Sequence, residues 1–370
     1  MGAIHAITLP KWGLSMESGR VNGWLKEVGA LVKPGEELLE VESEKIAGGV
    51  AAAAGGVLRR QLAQVGEVVP VGGLLGVVAD ADIPETEIDA FIADFLANFS
   101  VQSAAEAEAG AEPEKIVVGG RTLRYLRRGQ GSDVVLLVHG FGGDLNNWLF
   151  NHEALAVQRT VYALDLPGHG ESTKDVGAGT LRELAQALAA FLDAVGVSSA
   201  HLVGHSLGGA VALTLAAGEP QRVRSLALLA SAGLGTEIDA GYIEGFVTAA
   251  NRNALKPHVA KLFADARLVT RRLIDDLLKY KRLEGVEASL RLLSEKMISG
   301  GRQATMLRDE LARLRQPVLV VWGSEDQIIP ARHASGLPSS VQVELIPAKG
   351  HMVMMEAAGE VNRLLNAFWS

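Results

Sequence analysis

Short apolar runs punctuated by glycine fill the first eighty residues, and the run pattern repeats. Gly19, Gly29, Val32, Gly35, Leu38 and Val41 recur as Gly56, Gly66, Val69, Gly72, Leu75 and Val78, each 37 positions later. A fixed offset between strand-like segments predicts two similar sheet halves. Beyond Asp80 the period changes. Ile88, Phe91, Ile92, Phe95, Leu96 and Phe99 recur at helical spacing after Pro84, which predicts one amphipathic helix over 83–99 whose apolar stripe docks on a partner or on the second half of the chain. Ser103 to Glu114 is nearly all alanine and glutamate, too poor in large apolar groups to pack. It is expected to be a linker with a reach of roughly 20 Å, so 81–115 is read as helix plus linker.

From Ile116 onward strand-like and helical runs alternate. The runs 134–138, 161–164, 201–203, 225–229, 318–322 and 341–346 are apolar without alternation, the pattern of strands buried on both faces. Helical patterns over 181–195 and 210–217 separate several of them, so a mostly parallel, doubly covered sheet is expected. Gly233 to Leu314 breaks the rhythm with successive helical patterns and no clear strand, and predicts a helical cap over the sheet.

With 370 residues the chain exceeds one ordinary core and is expected to form a small domain, 1–80, and a larger one, 116–370. Lys and Arg number 35 against 43 Asp and Glu, with no basic block to neutralise phosphates, which argues against nucleic-acid binding. There is no cysteine, which excludes disulfides, thiolate metal sites and a cysteine nucleophile; no metal is expected. Neither a secretory leader nor an apolar stretch near the roughly 18 residues of a membrane span is visible, so a soluble cytoplasmic protein is expected, with no membrane partner.

Two segments carry chemistry. Gly204-His205-Ser206-Leu207-Gly208-Gly209 stands between a predicted strand and a predicted helix, the context in which a Gly-x-Ser-x-Gly turn lifts a serine hydroxyl out of a sheet toward a base. His139-Gly140-Phe141-Gly142-Gly143 directly follows another strand, Trp322 to Pro330 ends a third, and Lys349-Gly350-His351 follows the last. Elsewhere, Glu42-Ser43-Glu44-Lys45-Ile46 lies where the first repeat half ends. A lone lysine is ordinarily a solvated charge; a turn between two strands of a repeat makes this one a candidate for modification.

Residues 116 to 370 resemble α/β-hydrolases. The resemblance implies a triad in the chain order Ser206, Asp326, His351, with Glu325 the weaker candidate for the acid, and an oxyanion hole from the backbone N–H groups of Phe141 and Leu207. His139, His169 and His205 belong to motifs of that fold and are read as structural. Residues 1 to 80 resemble lipoyl and biotinyl domains, a quasi-twofold β-barrel with the modified lysine at a hairpin tip. Biotin carriers usually place methionine on both sides of that lysine; Glu44 and Ile46 flank Lys45, which favours lipoate covalently on Lys45.

The combined architecture is similar to the dihydrolipoamide acetyltransferase components of acetoin-cleaving dehydrogenase complexes. That implies an acyltransferase moving an acetyl group from lipoyl-lysine to coenzyme A by a Ser-His-Asp acyl-enzyme route. It also implies as partners a thiamine-dependent dehydrogenase component and dihydrolipoamide dehydrogenase. The His-x-x-x-Asp-Gly motif of common 2-oxo-acid complex acyltransferases is missing, as is a basic subunit-binding segment, which weighs against a large multimeric core. The same triad would also serve a thioesterase or carboxylesterase, with water in place of coenzyme A.

Overall fold

The computed structural model describes residues 3–12, 16–43, 47–99 and 112–370. The chain divides into two compact units, Met1–Glu112 with Ala357–Ser370, and Pro113–Glu356. The last helix, Ala358–Phe368, read from the sequence as part of 116–370, clusters with the first unit.

The first unit has eight strands: β1 (Ile4–Thr8), β2 (Ser18–Trp24), β3 (Leu31–Val32), β4 (Glu37–Glu42), β5 (Ala47–Ala51), β6 (Gly56–Gln61), β7 (Val68–Pro70) and β8 (Leu74–Ala79). They form two four-stranded sheets, ordered β1-β8-β6-β3 and β5-β4-β2-β7. The repeat accounts for this arrangement. The 37-residue offset carries β2 onto β6, β3 onto β7 and β4 onto β8, and each pair has one member in each sheet. The repeated positions Val32 and Val69, Leu38 and Leu75, and Val41 and Val78 are all buried. Neither half could bury its apolar face alone, and each covers the other. β4 pairs antiparallel with β5, with Glu42 opposite Ala47. Lys45 and most of the Ala/Glu-rich segment lie outside the described residues.

The helix Glu85–Asn98 forms where the periodicity puts it, and the first part of its apolar stripe packs on the barrel, while Leu96 stays exposed. Ile88, fully buried, joins Ile83, Val77 and Ala79, with Ile4, Phe91 and Ile92 against them. The physical reason lies in β8, which is buried at all six positions and therefore needs cover on both faces. Polar contacts fix the register: Arg60 pairs with Asp89 at 2.9 Å, and Arg59 donates to the Asp80 carbonyl at 3.0 Å and the Ile83 carbonyl at 3.1 Å.

The second unit opens with β9 (Glu114–Val118), β10 (Arg121–Arg128), β11 (Val134–Val138), β12 (Thr160–Leu164), β13 (Ala200–His205) and β14 (Val223–Leu229). The cap follows, with helices Ala240–Thr248, Arg252–Ala260, Arg271–Lys281, Val286–Met297 and Arg308–Arg313. It also holds a two-residue hairpin, β15 (Ile298–Ser299) with β16 (Arg302–Gln303), too short to leave a strand signal in the sequence. β17 (Val318–Gly323) and β18 (Val341–Ile346) complete the sheet.

The strand order is β18-β17-β14-β13-β11-β12-β10-β9, parallel except for the antiparallel β9 and β10. β18 corrects one expectation: as an edge strand it is exposed at its four central positions, not buried on both faces. The chain runs from β11 to β12 on one side and returns to β13 on the other, so the order reverses at β11/β13. In such sheets the crevice beyond the carboxyl ends at the reversal is where ligands bind.

Ile88→Ala should destabilise the first unit by about 2–4 kcal/mol. Calorimetry of the full chain reads the loss, and amide exchange across 74–79 should accelerate with it; unchanged exchange there would show that the helix does not cover β8.

Candidate active site

Ser206 follows β13 with φ 51° and ψ −117°, a left-handed conformation held by its surroundings. Its N–H donates to the Leu229 carbonyl at 3.0 Å, and its carbonyl accepts from Gly209 at 3.0 Å and Ala232 at 3.0 Å. The motif glycines are dictated by close backbone approach. A Cβ on Gly208 would lie 2.3 Å from the Val138 carbonyl oxygen, one on Gly204 2.4 Å from that of Gly208, and one on Gly209 2.4 Å from Ser231 Oγ. The helix Leu207–Gly218 therefore starts against the end of β11, and Leu207 N–H is among its first four, which have no partner within the helix.

The loop after β11 faces this turn. Gly143 N–H donates to the Gly140 carbonyl at 3.2 Å, closing a tight turn that leaves Phe141 N–H unused by the turn. A Cβ on Gly140 would lie 3.0 Å from Ser206 Cβ, so only glycine lets the loop come this close. His139 clamps the loop: Nδ1–H donates to the Gly140 carbonyl at 2.8 Å, and Nε2 accepts from Leu166 N–H at 3.0 Å.

His351 Nδ1–H donates to Asp326 Oδ2 at 2.7 Å, with both side chains almost wholly buried. The same oxygen accepts from Trp322 Nε1 at 2.9 Å, while Oδ1 accepts from the N–H groups of Ile328 and Ile329 at 2.8 and 2.9 Å. Four donors thus fix the carboxylate, and it fixes the tautomer that leaves His351 Nε2 as an acceptor. Glu325, in contrast, is exposed. A cavity of about 70 Å³ is lined by Ser206, His351 and Phe141, with Tyr242, Phe246 and Phe263 from the cap.

Two positioning groups escaped the sequence reading. Glu356 is buried and accepts from Gly350 N–H and from Ala264 N–H, each at 2.9 Å, tying the His351 loop to the cap. Burial pushes its carboxyl up. His205 Nε2–H donates to the His351 carbonyl at 3.0 Å, with the two rings 4.7 Å apart. No local pattern marks either role, since both rest on contacts between distant segments. Among the described residues no group of three or more His, Asp or Glu could hold a metal ion, and no helix is long and apolar enough to cross a membrane.

Burial lowers the pKa of His139, His169 and His205, and pushes His152, whose Nε2–H donates to the Val161 carbonyl at 2.9 Å, down to about 4. A histidine with a depressed folded pKa is charged in the unfolded chain first, so stability falls as pH drops from about 6.5 toward 4. Melting curves of the second unit should show their steepest loss in this window, about 1.4 kcal/mol per pH unit for His152 alone, and His152→Gln should flatten it. Glu356→Ala leaves the buried Gly350 N–H and the part-buried Ala264 N–H without their shared acceptor and should slow ester turnover about tenfold or more, measured with KM little changed.

Two family models match the chain: a biotin-requiring enzyme model over residues 5–78 and an alpha/beta hydrolase fold model over residues 133–358. A dihydrolipoyllysine-residue acetyltransferase component of an acetoin cleaving system from Pseudomonas putida is 53% identical over 369 residues, covering 100% of this chain and 99% of its own. A protein of the same description from Cupriavidus necator is 48% identical, covering 98% and 96%. Among solved structures, the meta-cleavage product hydrolase of Pseudomonas fluorescens aligns with TM-score 0.64 at 22% identity over 69% of this chain and 97% of its own, a likeness of fold. With an N-terminal biotin/lipoyl domain and a C-terminal α/β-hydrolase fold, the chain belongs to the family of dihydrolipoyllysine-residue acetyltransferase components of acetoin cleaving systems.

Proposed function

We propose that this protein moves an acetyl group from a lipoyl thioester carried on Lys45 to coenzyme A, through an acyl-enzyme on Ser206. The observation that carries the reading is the His351–Asp326 pair, which engages Nδ1 beside the cavity that both His351 and Ser206 line. The full-length similarity to acetyltransferase components supports it.

Lipoate, amide-linked to a lysine, supplies a dithiol that carries the acyl group as a thioester. The chain fits such a carrier: Lys45 lies between β4 and β5, an antiparallel pair at the edge of its sheet. Covalent linkage of both units in one chain gives the donor an effective concentration of order millimolar at the serine.

Ser206 Oγ attacks the thioester carbonyl while His351 Nε2 takes its proton. Phe141 and Leu207 N–H groups donate to the oxyanion, a contribution of about 10²–10³ in rate for one such donor. His351 then protonates the departing sulfur. Coenzyme A enters by the reverse of these steps, His351 taking the thiol proton and returning it to Ser206. The aromatic cover of Tyr242, Phe246 and Phe263 disfavours water as the acceptor, which separates this reading from that of a thioesterase.

Lipoylated protein given an acetyl donor and coenzyme A should yield acetyl-coenzyme A, with a serine acyl adduct visible by intact mass when coenzyme A is withheld. Free acetate as the sole product would overturn the transferase reading. Ser206→Ala should abolish the adduct, and Asp326→Asn should lower turnover about 10⁴-fold by favouring the wrong tautomer.

A further inference from the structure

A second cavity lies beside Ser206, its lining without Ser206 or His351 themselves. It measures about 130 Å³, larger than the roughly 70 Å³ space shared by Ser206 and His351. Its inner wall is Leu184, Leu207, Ala210 and Leu293, all buried; Met297 and the exposed Lys296 stand toward its outer part. It adjoins the reaction centre, since Leu207 follows Ser206 in the chain and Ile238 lines both cavities.

Stereochemistry assigns the two spaces different tasks. The tetrahedral carbon bears the serine oxygen, the oxyanion, the sulfur and the acyl substituent. His351 exchanges a proton with both the serine oxygen and the sulfur, so the sulfur must lie on the histidine side, in the smaller cavity. Entering and leaving thiols use that side alike, because one step is the reverse of the other. The acyl substituent is left to point away from His351, toward Leu207 and the larger cavity.

Resting on the acyl-enzyme reading above, we propose that this cavity is an acyl-chain pocket and that the protein accepts unbranched aliphatic acyl groups longer than acetyl. One water needs only about 10–15 Å³ of such space, and a methyl group would leave most of the pocket without contacts. Butyryl and hexanoyl chains would fill it against the leucine wall.

The test uses the full chain with p-nitrophenyl acetate, butyrate and hexanoate, which bypass the carrier lysine and coenzyme A. In each, Ser206 Oγ bonds to the acyl carbon, the serine proton passes to His351 Nε2 and p-nitrophenolate leaves. Acylation is read as the phenolate burst and as the mass of the adduct. Hexanoate should react at least as fast as acetate, each buried methylene adding up to about fourfold. Met297→Trp should cut the hexanoate-to-acetate ratio about thirtyfold or more, and Met297→Ala should shift it the other way.

Rejection of butyrate and hexanoate by the unaltered protein would overturn the proposal. So would a ratio that neither Met297 variant moves. Acylation by all three esters with no later transfer to coenzyme A would remove the transferase reading while leaving the pocket standing. Failure of every ester, acetate included, would remove the serine nucleophile and the pocket with it.

Discussion

Backbone packed against backbone where β11 and β13 end is the constraint on which the second unit depends. Gly204, Gly208 and Gly209 let the chain turn at Ser206 within hydrogen-bond range of neighbouring strands, and Gly140 lets the facing loop approach the serine itself. Side chains cannot substitute for that proximity, because what must meet are carbonyl oxygens and Cα atoms. The left-handed Ser206 costs of order 1–3 kcal/mol, offset by hydrogen bonds from and to both sides of the turn. Strain and closeness are two aspects of one arrangement: a relaxed serine would drop back into the sheet and leave the Leu207 N–H without a target.

His351, the proposed base, is held by a different principle. His351 sits on a loop after an exposed edge strand, which offers little packing of its own. Its position is therefore set by polar contacts from several directions: Asp326 on Nδ1, His205 on its carbonyl, and Glu356 on the preceding N–H. Asp326 is in turn saturated by Trp322, Ile328 and Ile329, so its orientation is not free to follow the imidazole. Glu356 also binds the cap through Ala264, which couples the cover of the site to the placement of its base.

Much of this was legible in the sequence because it is local. The internal repeat implied two similar sheet halves, the apolar runs at β11 to β14 implied strands buried on both faces, and the glycine spacing around Ser206 implied the turn. What escaped depended on partners far along the chain. The segment at β18 carries Gln342 and Glu344, a polar alternation that the central strands lack, but exposure of Val343 and Leu345 as well follows only from its place at the edge of the sheet. The stripe on Glu85–Asn98 announces that a surface is covered but not which one; β8, with no alternation of its own, held the complementary half of that signal. Glu356 reads as one more helix-start acid, and only burial against Ala264 and Gly350 makes it a clamp.

Lys45 illustrates a further limit, since its meaning rests on covalent chemistry that no packing argument supplies. Burial, in contrast, explains why three other histidines can stand near the nucleophile without competing for its proton. On the proposed route, a charged ring at His205, 4.7 Å from His351, would oppose the imidazolium formed as Ser206 attacks. Desolvation pushes His205 well below the ordinary histidine range and does the same to His169, which favours the neutral ring in both. The hydrogen bonds that each makes to a carbonyl need only the neutral ring. The site thus keeps imidazoles for their shape and donors while burial denies them a charge. His351 alone combines the Asp326 carboxyl at Nδ1 with a place in the cavity that Ser206 lines, the combination on which the proposed route rests.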